Sequence, residues 1–273
     1  MSVDSSPLVV RHPDFGLTAE TAVAWSPRRP EFACAANSVS VLMPHMEPYF
    51  VRVVAAAVPH LEGELRDRAR AFCRQEAEHH HQHGLFNHLL VARHPRLSLV
   101  ERVAARFYRR LERRGGLRFN AAFVAASETV AYSAARWAAA HHQALFDGAD
   151  PAVTELFRWH LAEEVEHKAV AYDVFRALGA GWWRHLVAMV LAVVSVLAFV
   201  TAGTTILLAG QRRLHLPWAW WRLTSWAVTF AFELVPNLTL SLFPGFHPNQ
   251  LADPPWYGLW HLEQGEPLGG LSP

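Results

Sequence analysis

The sequence predicts an all-α chain, a four-helix bundle followed by an apolar helical segment. Three observations carry that reading. Hydrophobic residues recur at steps of three and four through most of the chain, the period of a helix with one buried face. The same Glu-x-x-His pattern stands on two separate predicted helices, Glu76 with His79 and Glu164 with His167. Leu186 to Gly210 contains no charged residue.

Each segment follows from its composition. Residues 1–31, rich in proline and polar groups, read as an irregular N-terminal arm. Ala33 to Pro59 is helical but holds Pro44 and Pro48, so two short helices are expected to meet near Glu47. Residues 62–91 form a helix on the stripe Leu65, Ala69, Phe72, Glu76, His79, His83, Phe86, Leu90, ended by His94 and Pro95. Residues 97–114 make an arginine-rich amphipathic helix, broken at Gly115 and Gly116 and followed by an alanine-rich helix from Asn120 to Phe146. Asp150 and Pro151 form an N-cap and first helical position, opening a helix to about Leu178.

The uncharged run after Gly181 would be about 37 Å long as a helix, against about 30 Å of bilayer hydrocarbon. Trp182, Trp183, Arg184 and His185 before it and Gln211, Arg212 and Arg213 after it have the character of interfacial anchors. A buried core helix is the alternative. Pro217 to Phe243, interrupted by Arg222, Glu233 and Pro236, reads as a half-buried partner, an interfacial helix or a return span. The expected organisation is therefore an arm at 1–31, a metal-binding bundle at 32–180, membrane-associated apolar helices at 181–243 and a proline-rich loop tail at 244–273.

Bulk composition narrows the function. With 25 basic and 24 acidic residues the chain has no field of one sign, which argues against nucleic acid as a partner. Arg102, Arg106, Arg109, Arg110, Arg113 and Arg114 do cluster on one helix, as a solvated face or one leaning on anionic lipid. Two cysteines, Cys34 and Cys73, cannot form a disulfide framework and match a reducing compartment. Residues 1–20 lack the apolar run of a cleaved signal peptide. Together these place the metal-binding part on the cytoplasmic side of a membrane.

The chemistry sits in the two Glu-x-x-His motifs. Residues three apart share a helix face, so each pair can reach one ion. Both motifs lie on apolar stripes, where ionised groups are costly unless paired or metal-bound. Glu78, Glu163 and Glu166 fall off those stripes and are assigned to the outside, as are His80 and His81. A two-metal carboxylate bundle takes one further glutamate from each of the other two helices. Glu128, in a run of small residues, and Glu47, with Glu31 as its only nearby competitor, are the candidates. His160 and His83 occupy the same faces, either as extra ligands or as hydrogen-bond partners of a ligand carboxylate. Tyr132, one turn after Glu128, is placed as a residue supporting the site.

The segments RHPDF at 11–15, PHMEPYFVR at 44–52, QEAEHHHQHGLFN at 75–87, WHLAEEVEHKAVAYDVF at 159–175 and PGFHP at 244–248 resemble the family named predicted metal-dependent hydrolases, itself similar to ferritin-like di-iron proteins. The resemblance covers about residues 11–260 and implies a ferritin-like bundle holding metal. The spacing His160-xxx-Glu164-xx-His167 resembles that of di-iron arylamine N-oxygenases.

Four carboxylates with two or three imidazoles suit two iron ions, or manganese. The expected activity is an O2-dependent oxidase or oxygenase with O2 as co-substrate, an electron donor or reductase as partner, and a small apolar or lipid-like substrate, including an amine or hydrazine. The alternative is a hydrolase whose metals activate water, and a third reading is a non-enzymatic metal-binding membrane protein.

Overall fold

The computed structural model describes residues 8–243 and 245–264. The ends of the expected arm and tail, residues 1–7 and 265–273, and Pro244 of the PGFHP segment lie outside the described residues. Helices run in the order α1 (Pro30–Ser40), α2 (Met43–Ala57), α3 (Gly63–Arg93), α4 (Leu97–Ala140), α5 (His142–Phe146), α6 (Pro151–His167), α7 (Val170–Ala177), α8 (Trp182–Gly210), α9 (Pro217–Leu240) and α10 (Pro255–Glu263). No strand occurs among the described residues.

Local chemistry explains most boundaries. Proline occupies the first helical positions of α1, α6, α9 and α10, where a missing N–H costs nothing. Asp150 caps α6 by accepting from the Val153 N–H at 3.1 Å. Gly116 adopts φ 65°, ψ 162°, a conformation open to glycine, and bends α4 there.

Three expected boundaries are corrected. The junction between the first two helices falls at Val41–Leu42, not near Glu47, because Pro44 takes an opening position of α2 and Pro48 is accommodated one turn later. The helix through His167 is interrupted at Lys168–Ala169, with no glycine or proline to announce it. Lys168 there reaches the Leu251 carbonyl at 3.2 Å and the Asp253 carboxylate, distant partners that local spacing does not encode. The tail is not all loop: Pro255 starts α10 rather than preventing it.

α2 packs on α3 and α4, α6 and α7 pack on the same two helices, and the apolar helices α8 and α9 lie against α1 and α4. Of the described helices, only α8 is long and apolar enough to cross a membrane. Its small residues Ala188, Ala192, Ser195, Gly203 and Thr204 are buried, while Val187, Val190, Val194 and Leu197 face outward. Phe199 packs on Phe107 at 5.7 Å between ring centres, and Thr204 donates to Ser38 Oγ at 3.2 Å. α9 is tied to α4 by Arg136–Glu233 at 2.8 Å and by Asn237 donating to Ser133 Oγ at 2.9 Å.

Two expected lipid anchors are used inside the protein instead. His185 is buried against Phe175 and lies 3.1 Å from Ser241 Oγ. Arg213 joins Arg222 on the fully buried Glu31, at 3.3 and 3.2 Å, which compensates that carboxylate. Glu31 is thereby removed as a competitor of Glu47.

A Cβ added at Gly203 would stand 2.8 Å from Ser38 Oγ and 2.9 Å from Ser38 Cβ. Gly203→Ala should therefore cost about 1–3 kcal/mol in urea unfolding, and outward Val194→Ala should be near neutral. Equal midpoints for both variants would mean that α8 contributes no packing to the rest of the fold.

Candidate metal centre

The register of each helix decides what enters the interior. On α3, Glu76, His79 and His83 share the face that also buries Phe72 and Phe86. On α6, His160, Glu164 and His167 do the same, while α2 and α4 supply Glu47 and Glu128. All eight side chains are buried.

Two overlapping groups result. Glu47, His79, His160 and Glu164 each offer an atom within 4.8 Å of the others, and so do Glu76, His79, Glu164 and His167. Glu164 and His79 belong to both. His79 Nδ1 is 4.0 Å from Glu47, 3.9 Å from Glu76 and 3.8 Å from Glu164. His167 Nδ1 is 3.1 Å from Glu76 and 3.7 Å from Glu128, which brings Glu128 to the second group.

Eight atoms pointing into this space are buried with no aligned hydrogen-bond partner among the described residues: both oxygens of Glu47 and of Glu76, one each of Glu128 and Glu164, and Nδ1 of His79 and His167. The short His167–Glu76 approach lacks the alignment of a hydrogen bond. Buried polar atoms are otherwise satisfied in proteins, so such a cluster of oxygen and nitrogen acceptors fits a cation.

The surrounding hydrogen bonds set the imidazole tautomers. His79 Nε2–H donates to Glu163 Oε2 at 3.0 Å, leaving the Nδ1 lone pair facing inward. Gln75 Nε2 donates to the Val9 carbonyl and to Glu166 at 2.9 and 2.7 Å, so its Oε1 accepts from His167 Nε2–H at 3.0 Å and again leaves Nδ1 inward.

A longer chain acts on His160. Asn87 Nδ2 donates to the Ser40 carbonyl at 2.7 Å, so Asn87 Oδ1 must accept from Ser40 Oγ–H, also at 2.7 Å. Ser40 Oγ then accepts from His83 Nδ1–H at 2.8 Å, and His83 Nε2 accepts from His160 Nδ1–H at 2.9 Å. His160 Nε2 is left 3.0 Å from Glu164 Oε1, a separation at which a proton or a cation must lie between them. His83 is thus bonded to an imidazole, not to a ligand carboxylate.

Electrostatics follows from burial. Desolvation, reinforced by the charges of Glu76 and Glu164, raises the Glu47 carboxyl well above its ordinary range, and Glu128 is raised in the same way. Desolvation also raises Glu76. Glu164 is pushed up by burial too, but the His160 hydrogen bond and the nearby imidazoles outweigh it and hold it at about 2. Burial depresses His79, helped by the charges of His160 and His167. At His167 burial is overcome by Glu76, Glu164 and Glu163, which lift it to about 9.

Other predicted positions land elsewhere. The Tyr132 hydroxyl donates to the Ala252 carbonyl at 3.0 Å, with Lys168 over its ring, and it bonds to none of the candidate ligands among the described residues. Glu163 and Glu166 are not outside: their side chains are 0% and 7% exposed because the arm folds over them. Glu78 is partly covered and pairs with His12 at 2.9 Å. Sequence reasoning missed Arg11, Ser40, Gln75 and Asn87, whose roles depend on partners far along the chain. Arg11 does stand in the RHPDF segment, and Gln75 and Asn87 open and close QEAEHHHQHGLFN, the one signal that marked these three.

A family model described as predicted metal-dependent hydrolase matches residues 9–252. The chain belongs to that family. No curated protein and no solved structure gave a significant match. The family's name and the two buried Glu/His groups agree on metal dependence.

Glu164→Ala and His79→Ala should each sharply reduce the metal retained after desalting, measured by plasma mass spectrometry, and Glu78→Ala should not; equal loss in all three would dissolve the distinction between inward and outward carboxylates. Because Glu47 and Glu128 hold their protons more tightly than ordinary carboxyls, cations must displace protons. Adding Mn(II) to weakly buffered protein should release protons, and affinity should weaken as pH falls. A pH-independent affinity would contradict the shifts.

Proposed function

We propose that the chain is a metal-dependent hydrolase holding two divalent cations and acting on an apolar or lipid-like substrate. The observation that carries this reading is the cluster of buried acceptor atoms without partners. Glu47, His160 and Glu164 would surround one ion, and Glu76, Glu128, His167 and Glu164 the other, with His79 giving its single inward lone pair to one of the two; four carboxylates balance two divalent charges. Bound ions would supply Lewis acidity and make a coordinated water acidic near neutral pH. The chain's own part is to hold the Nε2 protons of His79 and His167 on Glu163 and Gln75, to aim the remaining lone pairs, and to keep bulk water out. The twofold pairing of a single-glutamate helix with a Glu-x-x-His helix supports a ferritin-like bundle.

The outward apolar faces of α8 and α9, with exposed Trp183, Trp218 and Trp221, support docking in the plane of a membrane rather than a free-standing span. Free Cys34 and Cys73 support a cytoplasmic metal domain.

A second reading, an O2-dependent di-iron oxidase or oxygenase acting on an amine or hydrazine with a separate electron donor, is favoured by one observation: His160 adds a third imidazole to the ligand groups. One pair of assays separates the two. Anaerobic protein loaded with Mn(II) or Fe(II) should cleave long-chain p-nitrophenyl esters or amides, and Glu164→Ala should abolish the activity. Absence of hydrolysis, with stoichiometric O2 uptake by the Fe(II) protein, would replace the hydrolase with the oxygenase.

A further inference from the structure

One arm residue stands behind both metal-facing histidines. The Arg11 guanidinium gives NH1 to Glu163 Oε1 at 2.8 Å and NH2 to Glu166 Oε1 at 2.9 Å. Each carboxylate then turns its other oxygen to the next group inward. Glu163 Oε2 accepts from His79 Nε2–H at 3.0 Å, and Glu166 Oε2 accepts from Gln75, whose Oε1 accepts from His167 Nε2–H. The ring of Trp260 on α10 closes the far side, 4.9 Å from the guanidinium carbon. The arm is further bound to α3, since Gln75 donates to the Val9 carbonyl and Gln82 to the Pro13 carbonyl at 2.8 Å.

We propose that Arg11 is a positioning residue that orients His79 and His167 together, so that docking of the N-terminal arm and occupation of the metal centre are one linked equilibrium. The proposal rests on the metal-binding part of the functional reading. The planar fork of arginine suits it to serve two carboxylates at once, which a lysine point charge cannot do in the same geometry. A cation on Nδ1 makes the opposite N–H of an imidazole a stronger donor, tightening its bond to the outer carboxylate or amide. Both such bonds lead to Arg11, so metal binding should strengthen the arm's seat. By reciprocity, loss of that seat weakens metal binding by the same factor.

The test uses the full chain and Co(II) alone, with affinity read by chelator competition, site geometry by the visible Co(II) bands, and arm docking by hydrogen exchange over residues 8–16. Wild type should bind two equivalents and gain protection in the arm on loading. Arg11→Met should weaken both equivalents by about 10–100-fold, the usual range for loss of an outer partner of a ligand, shift the Co(II) bands and abolish the metal-dependent protection. Arg11→Lys should fall between the two, which keeps the proposal testable if Arg11→Met fails to fold. Glu166→Gln should weaken one equivalent only, through His167. Wild-type binding of two ions with Arg11 variants of unchanged affinity, or arm exchange indifferent to Co(II), would overturn the linkage and leave the metal centre standing. Wild type that binds no Co(II) would overturn the metal centre and the linkage with it.

Discussion

Burying ionisable groups among helices is the constraint on which the rest of this structure depends. Glu47, Glu76, Glu128 and Glu164 stand away from water with His79, His160 and His167, and a carboxylate in such a place is expensive unless something neutralises it. Protons do part of this work in the protein alone, which is why burial drives Glu47 and Glu128 upward while Glu164, flanked by imidazoles, stays ionised. A cation could do the same work, meeting the inward lone pair of His79 and displacing the proton that Glu76 and Glu164 hold on His167.

That arrangement is made from outside the centre. A neutral imidazole offers one lone pair and one N–H, so fixing the partner of the N–H fixes the direction of the lone pair. Glu163, Gln75 and His83 each hold one N–H partner position, and each is held in turn by something further out: Arg11, Glu166, Ser40 and Asn87. The N-terminal arm and α10 therefore belong to the site although neither contributes a candidate ligand.

The apolar helices are joined to the same scaffold. Small residues on α8 let it approach α1 and α4 closely, and the paired charges of Glu31, Arg213 and Arg222 fasten the region where α8 ends and α9 begins. One face of each helix is committed to the protein, and the other is exposed and apolar.

What the sequence determined by itself was everything governed by period and local stereochemistry. The three- and four-residue spacing placed Glu76, His79, Glu164 and His167 on inward faces, and the all-helical character, the break at Gly116 and the cap at Asp150 were legible for the same reason. Only the tertiary structure decided which groups meet. Glu163 and Glu166 look like solvated positions in their helix, yet a segment some 150 residues away covers them. The interruption after His167 and the involvement of His185 and Arg213 likewise turn on distant partners. Helical register is a short-range property written every few residues, whereas a hydrogen-bond partner brought in by chain folding leaves no periodic mark.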